Sequence, residues 1–443
     1  MQVITVLFKK IGLGIVILAG ILFVVNIFNK HSQVPSDRLT LQQLQQDFTQ
    51  FTQLVEQDVP NAFYNCSRVD FERAKLSVFN QLKDGMTVTE AFRVFYPIAQ
   101  LLNDAHFAVH LPDHFFENKN NTFFPIRVII DDDRLFVLKD VSDVPLLKKG
   151  EEILDINAIS AKDIIQNIRA TSLKDRNQQV FFEYRNESVF HKRLYALFQF
   201  KDEFEVRTSR QKYKLRGVSE QKLQESADPV VVCKQIDKDI AYIKVNRLVW
   251  ETSAQRDSIK LILDNYVTTM NRENIKNMVL DIRGNLGGSS VFAKDILDYF
   301  TTTPYSLSEG VEYFYKGKRY DAKNETLHTP NARIIFKGSV VLLSDVLTYS
   351  SAHMMQVGFK HYDMGVTVGQ QSTESHYITG EIKKTILKNS GIEIISPTVN
   401  FRLPGYSVVQ RGFYTPDYVI YPSFSDRLNG KDVMLEKAIE ILH

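Results

Sequence analysis

Two short segments, residues 278–290 and 340–353, constrain the fold of this chain more than any other part of its sequence. Each begins with an apolar run that is typical of a buried strand, passes through a polar or glycine-rich turn, and continues in a pattern typical of a helix. Further apolar runs, such as residues 240–245, alternate with helical patterns, and this alternation favours βαβ units. The sequence therefore predicts an α/β fold whose core occupies residues 229–443.

Two regions with different patterns precede this predicted core. Over residues 36–115, apolar side chains recur at three- and four-residue steps, which predicts a helical N-terminal segment. Within it, Thr87 and Glu90 have capping-box spacing and predict a helix that begins near residue 88. Residues 120–228 contain short apolar runs and turn signals, which predict a small β-rich module. In this module a turn at Gly150 leads into a half-buried strand.

Residues 1–30 have the character of a membrane anchor. Lys9 and Lys10 precede an apolar run at residues 11–28, which as a helix would be about 27 Å long, close to the thickness of the hydrocarbon core of a bilayer. The lysines favour an inside N-terminus, and residues 25–30 lack the small residues that cleavage of a signal peptide requires. We therefore expect a single-pass protein of the cell membrane, with the bulk of the chain on the extracytoplasmic, periplasmic side. A cleaved signal peptide is the alternative.

Charge and cysteine content exclude several classes of function. The chain has 54 basic and 52 acidic side chains, a formal net charge of +2, so it lacks the strong positive field of a nucleic-acid-binding protein. Its two cysteines, Cys66 and Cys233, are too few for a disulfide scaffold or a zinc site. One disulfide is an open alternative, and two inert thiols are the favoured interpretation. The sequence implies no metal and no cofactor, and it does not predict an oligomeric state.

Ser350 lies at the predicted junction of a strand and a helix. The positive N-terminal end of a helix favours a negative charge that develops on a reacting oxygen. The turn at residues 281–288 could supply a further backbone N–H donor, since glycines allow a close approach of the main chain to a ligand. This turn has neither the lysine of a phosphate loop nor the spacing of a dinucleotide-binding loop. The two segments together favour acyl transfer by a serine nucleophile, against the alternative that the hydroxyl only caps the helix.

A serine nucleophile requires a base that accepts its proton. The chain has ten histidines, and His106 stands out because Asp104 and the predicted helix-to-strand junction place it in a constrained turn. His353, His361 and His376 are alternatives in the C-terminal half of the chain. The sequence alone does not rank these histidines by their distance from the serine.

Three motifs occur in order at residues 281–288, 348–353 and 368–370. They resemble the Asp-x-Arg-x-Asn-x-Gly-Gly turn, the nucleophile segment and the Val-Gly-Glu strand end of the carboxy-terminal-processing, or tail-specific, serine peptidase family. Residues 150–157 are similar, in degenerate form, to the carboxylate-binding PDZ module of that family. The resemblance covers about residues 38–443. It implies a βαβ spiral core like those of the crotonase and Clp-protease folds, with an N-terminal helical segment and a PDZ-like β-rich insert.

The chain departs from this family at two positions. Many members pair the serine with a lysine twenty-five residues later, and here that residue is Ser375. The tricorn-like branch uses instead a histidine in a Leu-x-x-x-His turn, which residues 102–106 resemble, and a glutamate near a C-terminal Gly-x-x-Pro-Asp segment. Gln410 stands in the stretch where that glutamate is expected. The resemblance therefore implies His106 as the base and leaves a third catalytic residue open.

The resemblance implies a membrane-anchored serine peptidase that hydrolyses peptide bonds of extracytoplasmic proteins or peptides. Its partners would be a protein or peptide substrate, held by strand addition to the PDZ-like module, and the membrane, through the N-terminal helix. The alternative is a non-catalytic peptide-binding or scaffold relative of the same fold. The implied site consists of the nucleophile Ser350 and the base His106, the oxyanion donors Ser351, Gly287 and Gly288, and the supporting residues Asp104, Gln410 and His376.

Overall fold

The computed structural model describes most of the chain beyond the predicted anchor. The residues it describes are 38–112, 114–117, 121–173, 179–223, 228–315, 318–322, 326–331, 334–407 and 412–443. Residues 11–28 and Gln410, to which the sequence analysis assigned roles, lie outside these ranges. Within the ranges, no helix combines the length and the apolar character needed to cross a membrane.

The secondary structure alternates between helices and strands along the chain. The helices are α1 (Leu41–Gln57), α2 (Arg68–Gln81), α3 (Val88–Leu102), α4 (His114–Glu117), α5 (Ala161–Ala170), α6 (Gln179–Glu187), α7 (Phe190–Phe198), α8 (Glu220–Leu223), α9 (Ser253–Arg272), α10 (Ser290–Leu297), α11 (Ser351–His361), α12 (Phe424–Asn429) and α13 (Val433–Leu442). The strands are β1 (Arg38–Leu39), β2 (Met86–Thr87), β3 (Ala108–His110), β4 (Ile126–Asp131), β5 (Arg134–Asp140), β6 (Glu152–Ile156), β7 (Ile159–Ser160), β8 (Glu203–Thr208), β9 (Lys212–Arg216), β10 (Val231–Asp237), β11 (Ile240–Val245), β12 (Asn277–Asp281), β13 (Gly310–Tyr315), β14 (Lys318–Ala322), β15 (Ser339–Ser344), β16 (Val366–Gly369), β17 (Tyr377–Ile386), β18 (Glu393–Arg402) and β19 (Tyr418–Val419).

The core is a six-stranded sheet in the order β10-β11-β12-β15-β16-β19. Neighbouring strands are parallel except for β10 and β11. Apolar clusters cover both faces, with α9, α10 and α11 on one face and α13 on the other. Such cover explains why these strands read as continuous apolar runs rather than as alternating patterns. The predicted α/β fold is confirmed.

The core sheet brings the two motif segments to the same place. β12 and β15 are neighbours, and Asp281 lies opposite Leu343 at their carboxyl ends. The turn at residues 282–289 follows β12, and the turn at residues 345–350 follows β15. Because the carboxyl ends of parallel strands share one end of the sheet, both turns open on the same side, where α/β folds place their sites.

The N-terminal helices reach the core through strand β3. α3 begins directly after Thr87, which forms the predicted capping box with Glu90, and Asn103 is its C-cap residue. The left-handed backbone of Asn103, with φ +50°, turns the chain into residues 104–107. β3 then pairs antiparallel with β18, which belongs to a second sheet in the order β14-β13-β18-β17. This pairing fixes the turn at residues 104–107 against the core.

The β-rich region forms a separate sheet in the order β4-β5-β6-β8-β9, with β7 paired to β6. The turn at Gly150 leads into β6, as predicted. The region also contains α6 and α7, which the sequence analysis did not predict. Their buried side chains Phe182 and Phe190 join the apolar cluster that the sheet shares with the N-terminal helices. The domain boundaries at residues 115–120 and 228–229 stay predictions.

The two cysteines do not form a disulfide. Cys66 and Cys233 are both free and partly buried. Burial raises the pKa of both thiols, and it raises that of Cys233 to about 12. Both thiols therefore stay protonated at neutral pH, which agrees with the prediction that they are inert.

A buried network of charges holds the end of β12 to the start of α13. The fully buried Asp281 carboxylate accepts a hydrogen bond from Tyr242 Oη at 2.7 Å and two from the Arg283 guanidinium. Arg283 also donates to both carboxylate oxygens of Asp432, at 2.6 and 2.8 Å. Burial alone would raise the pKa of Asp281, but Arg283 lowers it and keeps the carboxylate charged. The turn after β12 thus starts from a fixed, fully paired carboxylate.

We expect Arg283→Met to lower the free energy of unfolding by about 3 kcal/mol, because it leaves the Asp281 carboxylate buried without its main partner. The matched control is Arg73→Met on α2, since Arg73 pairs with Asp70 while 73% of its side chain is exposed. This control should change the free energy of unfolding by no more than about 0.5 kcal/mol. Urea unfolding of both variants measures the difference, and equal effects would contradict the assigned role of Arg283.

Candidate active site

Ser350 occupies a strained turn at the start of α11. Its backbone has φ +54° and ψ −126°, a conformation that residues other than glycine rarely adopt. The Ser350 side chain makes no capping hydrogen bond to the helix. The interpretation of Ser350 as a simple helix cap is therefore wrong. Backbone strain of this kind costs about 1–3 kcal/mol and persists where surrounding contacts impose it.

Hydrogen bonds join the turn after β12 to the turn that carries Ser350. The Tyr349 N–H donates to the backbone oxygen of Asn285 at 2.9 Å. The Ser351 hydroxyl donates to the backbone oxygen of Gly288 at 2.7 Å. One contact therefore lies on each side of Ser350 in the sequence. The two motif segments form one structural unit, and they impose the strained backbone at Ser350.

The predicted oxyanion donors differ in their availability. The Gly287 N–H donates a hydrogen bond to the side-chain oxygen of Asn285 at 2.9 Å. The prediction that Gly287 is an oxyanion donor is therefore wrong, because its N–H already has an acceptor. For the N–H groups of Gly288 and Ser351, no acceptor occurs among the residues that the structure describes. The Ser351 N–H is also the first of α11 and lies at the positive end of the helix.

Gly287 has a steric role instead. A Cβ atom added there would lie 2.8 Å from Ser350 Cβ and 2.9 Å from the Ser351 nitrogen, and φ at Gly287 is +96°. No side chain fits into this contact without displacement of the backbone of Ser350. The glycine at position 287 therefore permits the close approach of the two turns.

His106 is buried in the turn between α3 and β3, with 9% of its surface exposed. Its backbone N–H donates to Asp104 Oδ1 at 2.9 Å, and Asp104 also accepts from the Thr379 hydroxyl at 2.9 and 2.8 Å. Nδ1 of the imidazole lies 3.7 Å from Asp104 Oδ1. Burial would raise the pKa of Asp104, but His106 and Thr379 together lower it. Asp104 therefore stays charged beside the ring, and its supporting role stays a prediction.

Nε2 of His106 is buried and has no hydrogen-bond partner in the part of the chain that the structure describes. Buried polar atoms without a partner are rare in proteins, because each costs free energy. The imidazole also lies against the Tyr349 ring, with 4.9 Å between the ring centroids. The His106 ring, whose Nε2 has no partner in the described ranges, thus contacts Tyr349, the residue directly before Ser350.

Glu374 is a site residue that the sequence analysis missed. Its side chain is 3% exposed, and its Oε2 accepts the Ser350 N–H at 2.5 Å. Its other oxygen, Oε1, lies 3.6 Å from Nδ1 of His106. One buried carboxylate therefore contacts both Ser350 and His106. Its position directly before Ser375, where the family has a lysine, is a signal that could have identified it.

A cleft of about 920 Å³ opens beside these residues. It is large enough for several residues of an extended peptide. Most of its wall is apolar and includes Trp250 and Met354. The predicted site residues that line it are Ser350, His106, Ser351, Gly287 and Gly288. The structure therefore brings together the predicted nucleophile, base and oxyanion region.

Other predicted residues lie elsewhere. His376 does not line the cleft. Its backbone N–H donates to the Gly412 oxygen, and its ring packs near Gly405, where burial lowers the pKa of the imidazole. Its proposed supporting role is therefore wrong. His353 is fully buried and pairs through Nε2 with the Ser375 oxygen at 3.0 Å, which excludes it as the base.

One group of side chains in the described ranges has the spacing of metal ligands. Asp237, Asp239 and His443 place ligand atoms within 4.8 Å of one another. The two end members of this group are exposed, and no member lines the cleft. Acidic groups of this kind are common on protein surfaces without a bound ion. The cleft itself is lined by the predicted nucleophile Ser350 and the predicted base His106.

Comparison with solved structures gives several matches to the whole fold. Mature CPAF matches with a TM-score of 0.64 and 12% identity, over 90% of this chain and 96% of that chain. CPAF complexed with lactacystin matches with a TM-score of 0.66 and 12% identity, over 90% and 97%. A putative peptidase from Parabacteroides merdae ATCC 43184 matches with a TM-score of 0.52 and 13% identity, over 90% and 96%. At these identities the matches establish a shared fold.

The sequence matches cover less of the chain than the structural matches. Among curated proteins no sequence matches this chain. Residues 239–420 match the sequence model of peptidase family S41. The matched region includes Ser350 and Glu374, whereas His106 precedes it. Together with the shared fold, this match confirms the resemblance to the carboxy-terminal-processing peptidases, and residues 239–420 carry the sequence pattern of peptidase family S41.

Proposed function

We propose that this chain hydrolyses peptide bonds of proteins or peptides with Ser350 as the nucleophile and His106 as the general base. The observation that carries the proposal is the buried Nε2 of His106, which has no partner in the described residues and lines the same cleft as Ser350. The Ser350 hydroxyl attacks the carbonyl carbon of a peptide bond. Nε2 takes the hydroxyl proton and returns it to the leaving amine. Closure on a substrate brings the two groups within hydrogen-bond distance.

The carboxylates on the other side of the ring support this role. Nδ1 of His106 lies 3.6 Å from Glu374 and 3.7 Å from Asp104. A carboxylate at Nδ1 keeps the proton on that nitrogen, leaves Nε2 free to accept, and stabilises the imidazolium that forms. Glu374 also holds the Ser350 N–H, so it positions the nucleophile and the base together.

The tetrahedral intermediate needs donors for its negatively charged oxygen. The N–H groups of Ser351 and Gly288 are the candidates, since both lack an acceptor in the described part of the chain. The N-terminus of α11 adds its partial positive charge at Ser351. The loss of one such donor typically raises the barrier by about 3 kcal/mol.

A fluorophosphonate probe tests the nucleophile and the base directly, because it phosphonylates only an activated serine. We expect the folded chain to be labelled and Ser350→Ala to lose all labelling. His106→Gln should slow labelling by roughly 10²- to 10⁴-fold, the usual contribution of a general base. The matched control is His361→Gln, because His361 is an exposed histidine at the end of α11. It should label at the normal rate.

The outcomes separate the peptidase from its alternative. No labelling of folded protein would favour a non-catalytic peptide-binding relative, whereas equal labelling of Ser350→Ala would assign the reaction to a different residue. The same measurement tests Glu374, because Glu374→Gln keeps the shape of the side chain and removes its charge. We expect this variant to label at least tenfold more slowly. An unchanged rate would remove Glu374 from the site.

Gly287→Ala and Gly284→Ala form a matched pair that tests the approach of the two turns. Both glycines have left-handed backbones, with φ +96° and +74°, so each substitution should cost about 1 kcal/mol of stability. At position 284 an added Cβ meets no atom within 4 Å, whereas at position 287 it meets Ser350. Only Gly287→Ala should displace the nucleophile, and we expect it to label roughly 100-fold more slowly. Equal labelling of the two variants would contradict this.

We also propose that residues 11–28 anchor the chain in the cell membrane, with the peptidase on the extracytoplasmic side. Support comes from the uncharged apolar run and from Lys9 and Lys10 before it. Alkaline carbonate should leave the full chain with the membrane and release a variant that lacks residues 1–30. Release of the full chain would contradict the anchor.

A further inference from the structure

Arg185 is a charged residue of the cleft to which the proposed reaction gives no role. It lies on α6, one helical turn after Phe181, and both side chains line the cleft. Phe181 stacks on Tyr349 with 5.9 Å between the ring centroids, and Tyr349 contacts His106. α6 is thus packed directly on the segment that carries the nucleophile, and this packing fixes the position of Arg185.

The Arg185 guanidinium has no carboxylate partner among the residues that the structure describes. The two acids on the same helix, Glu183 and Glu187, are turned toward Arg427. Arg193 is another cation close enough to act on Arg185. Burial, and then Arg193, lower the pKa of Arg185, so the structure holds a positive charge that the loss of water and a neighbouring cation both oppose. A cation in such a place gains most from an anionic ligand.

The other charged groups of the cleft do not neutralise Arg185. Glu381 lines the cleft from β17 and is exposed to solvent. Glu374 and Asp104 do not line the cleft, and both lie beside Nδ1 of His106. Arg193 donates to the Thr171 oxygen at 3.2 Å and brings no negative charge. The wall of the cleft formed by α6 is therefore positive, and the two carboxylates beside His106 lie outside the cleft lining.

We propose that Arg185 binds a carboxylate of the peptide substrate and so determines specificity for acidic peptides. This inference deepens the proposed peptidase function by naming a chemical class of substrate. A guanidinium presents two parallel N–H groups that match the two oxygens of a carboxylate, which makes arginine the favoured residue for this recognition. The carboxylate comes either from an aspartate or glutamate side chain or from the terminal carboxyl group of the peptide.

Binding to the full-length Ser350→Ala protein tests the proposal without hydrolysis. The probes are short fluorescent peptides in matched pairs, Glu against Gln and Asp against Asn at each position, each made with a free and with an amidated C-terminus. We expect acidic peptides to bind at least tenfold more tightly than their amide twins. A preference that follows the side chain identifies an acidic residue, and one that follows the free C-terminus identifies the terminal carboxylate.

Arg185→Gln in the same background should abolish this preference, and Arg185→Lys should keep only part of it. The control is Arg73→Gln on α2, since Arg73 does not line the cleft. This variant should keep the full preference for acidic peptides. Arg185→Gln should not lower the melting temperature, because it removes a cation that Arg193 repels. Equal binding of acid and amide twins, or a preference that survives in folded Arg185→Gln, would overturn the proposal. The two proposals can also fail separately. If the preference depends on Arg185 but fluorophosphonate does not label the chain, carboxylate recognition stands and hydrolysis is refuted.

Discussion

The antiparallel pairing of β3 with β18 is the interaction on which the site depends. It joins residues 108–110 to residues 393–395 and so carries an N-terminal turn into the C-terminal core. A second tie, from Thr379 on β17 to Asp104, comes from the adjacent strand of the same sheet. His106, the proposed base, is therefore positioned by the β17–β18 pair as well as by the helix that precedes it. Because these contacts span most of the chain, the site forms only when the N-terminal region and the core have both folded.

The hydrogen bond from the Ser350 N–H to Glu374 offsets both the backbone strain at Ser350 and the burial of the Glu374 carboxyl group. Strain at φ +54° costs about 1–3 kcal/mol, and a hydrogen bond from an N–H to a charged group contributes about 1.5–3 kcal/mol. The Ser350 N–H supplies that bond to a carboxylate that is otherwise costly to bury. The same carboxylate lies beside Nδ1 of His106. Glu374 thus connects the backbone conformation of Ser350 with the position of the His106 ring.

Features that depend on neighbouring residues in the sequence could be predicted, whereas features that depend on contacts between distant segments could not. The strands β11, β12 and β15 are short apolar runs, and the turns after them carry glycine and serine motifs, so the core and Ser350 could be predicted. Glu374 could not, because an acid in a polar stretch gains its role only from the fold that buries it. The occupied N–H of Gly287 is likewise a contact that no spacing reveals. α6 was missed because its buried phenylalanines contact different regions: Phe182 packs in the cluster shared with the β-rich module, and Phe181 packs on Tyr349 of the core.

The position of Glu374 explains why a histidine, rather than the family lysine, suits this site. A lysine acts as a base only when it is neutral, and an apolar site achieves this by lowering its pKa. Ser375 lines one small cavity together with Glu374 and Asp104. Two carboxylates beside a lysine at this position would keep it charged. A histidine gains from the same carboxylates, because they orient its ring and stabilise the imidazolium that forms during reaction. The absence of the lysine is therefore not by itself a sign of lost activity, because the charges around the serine favour a different base.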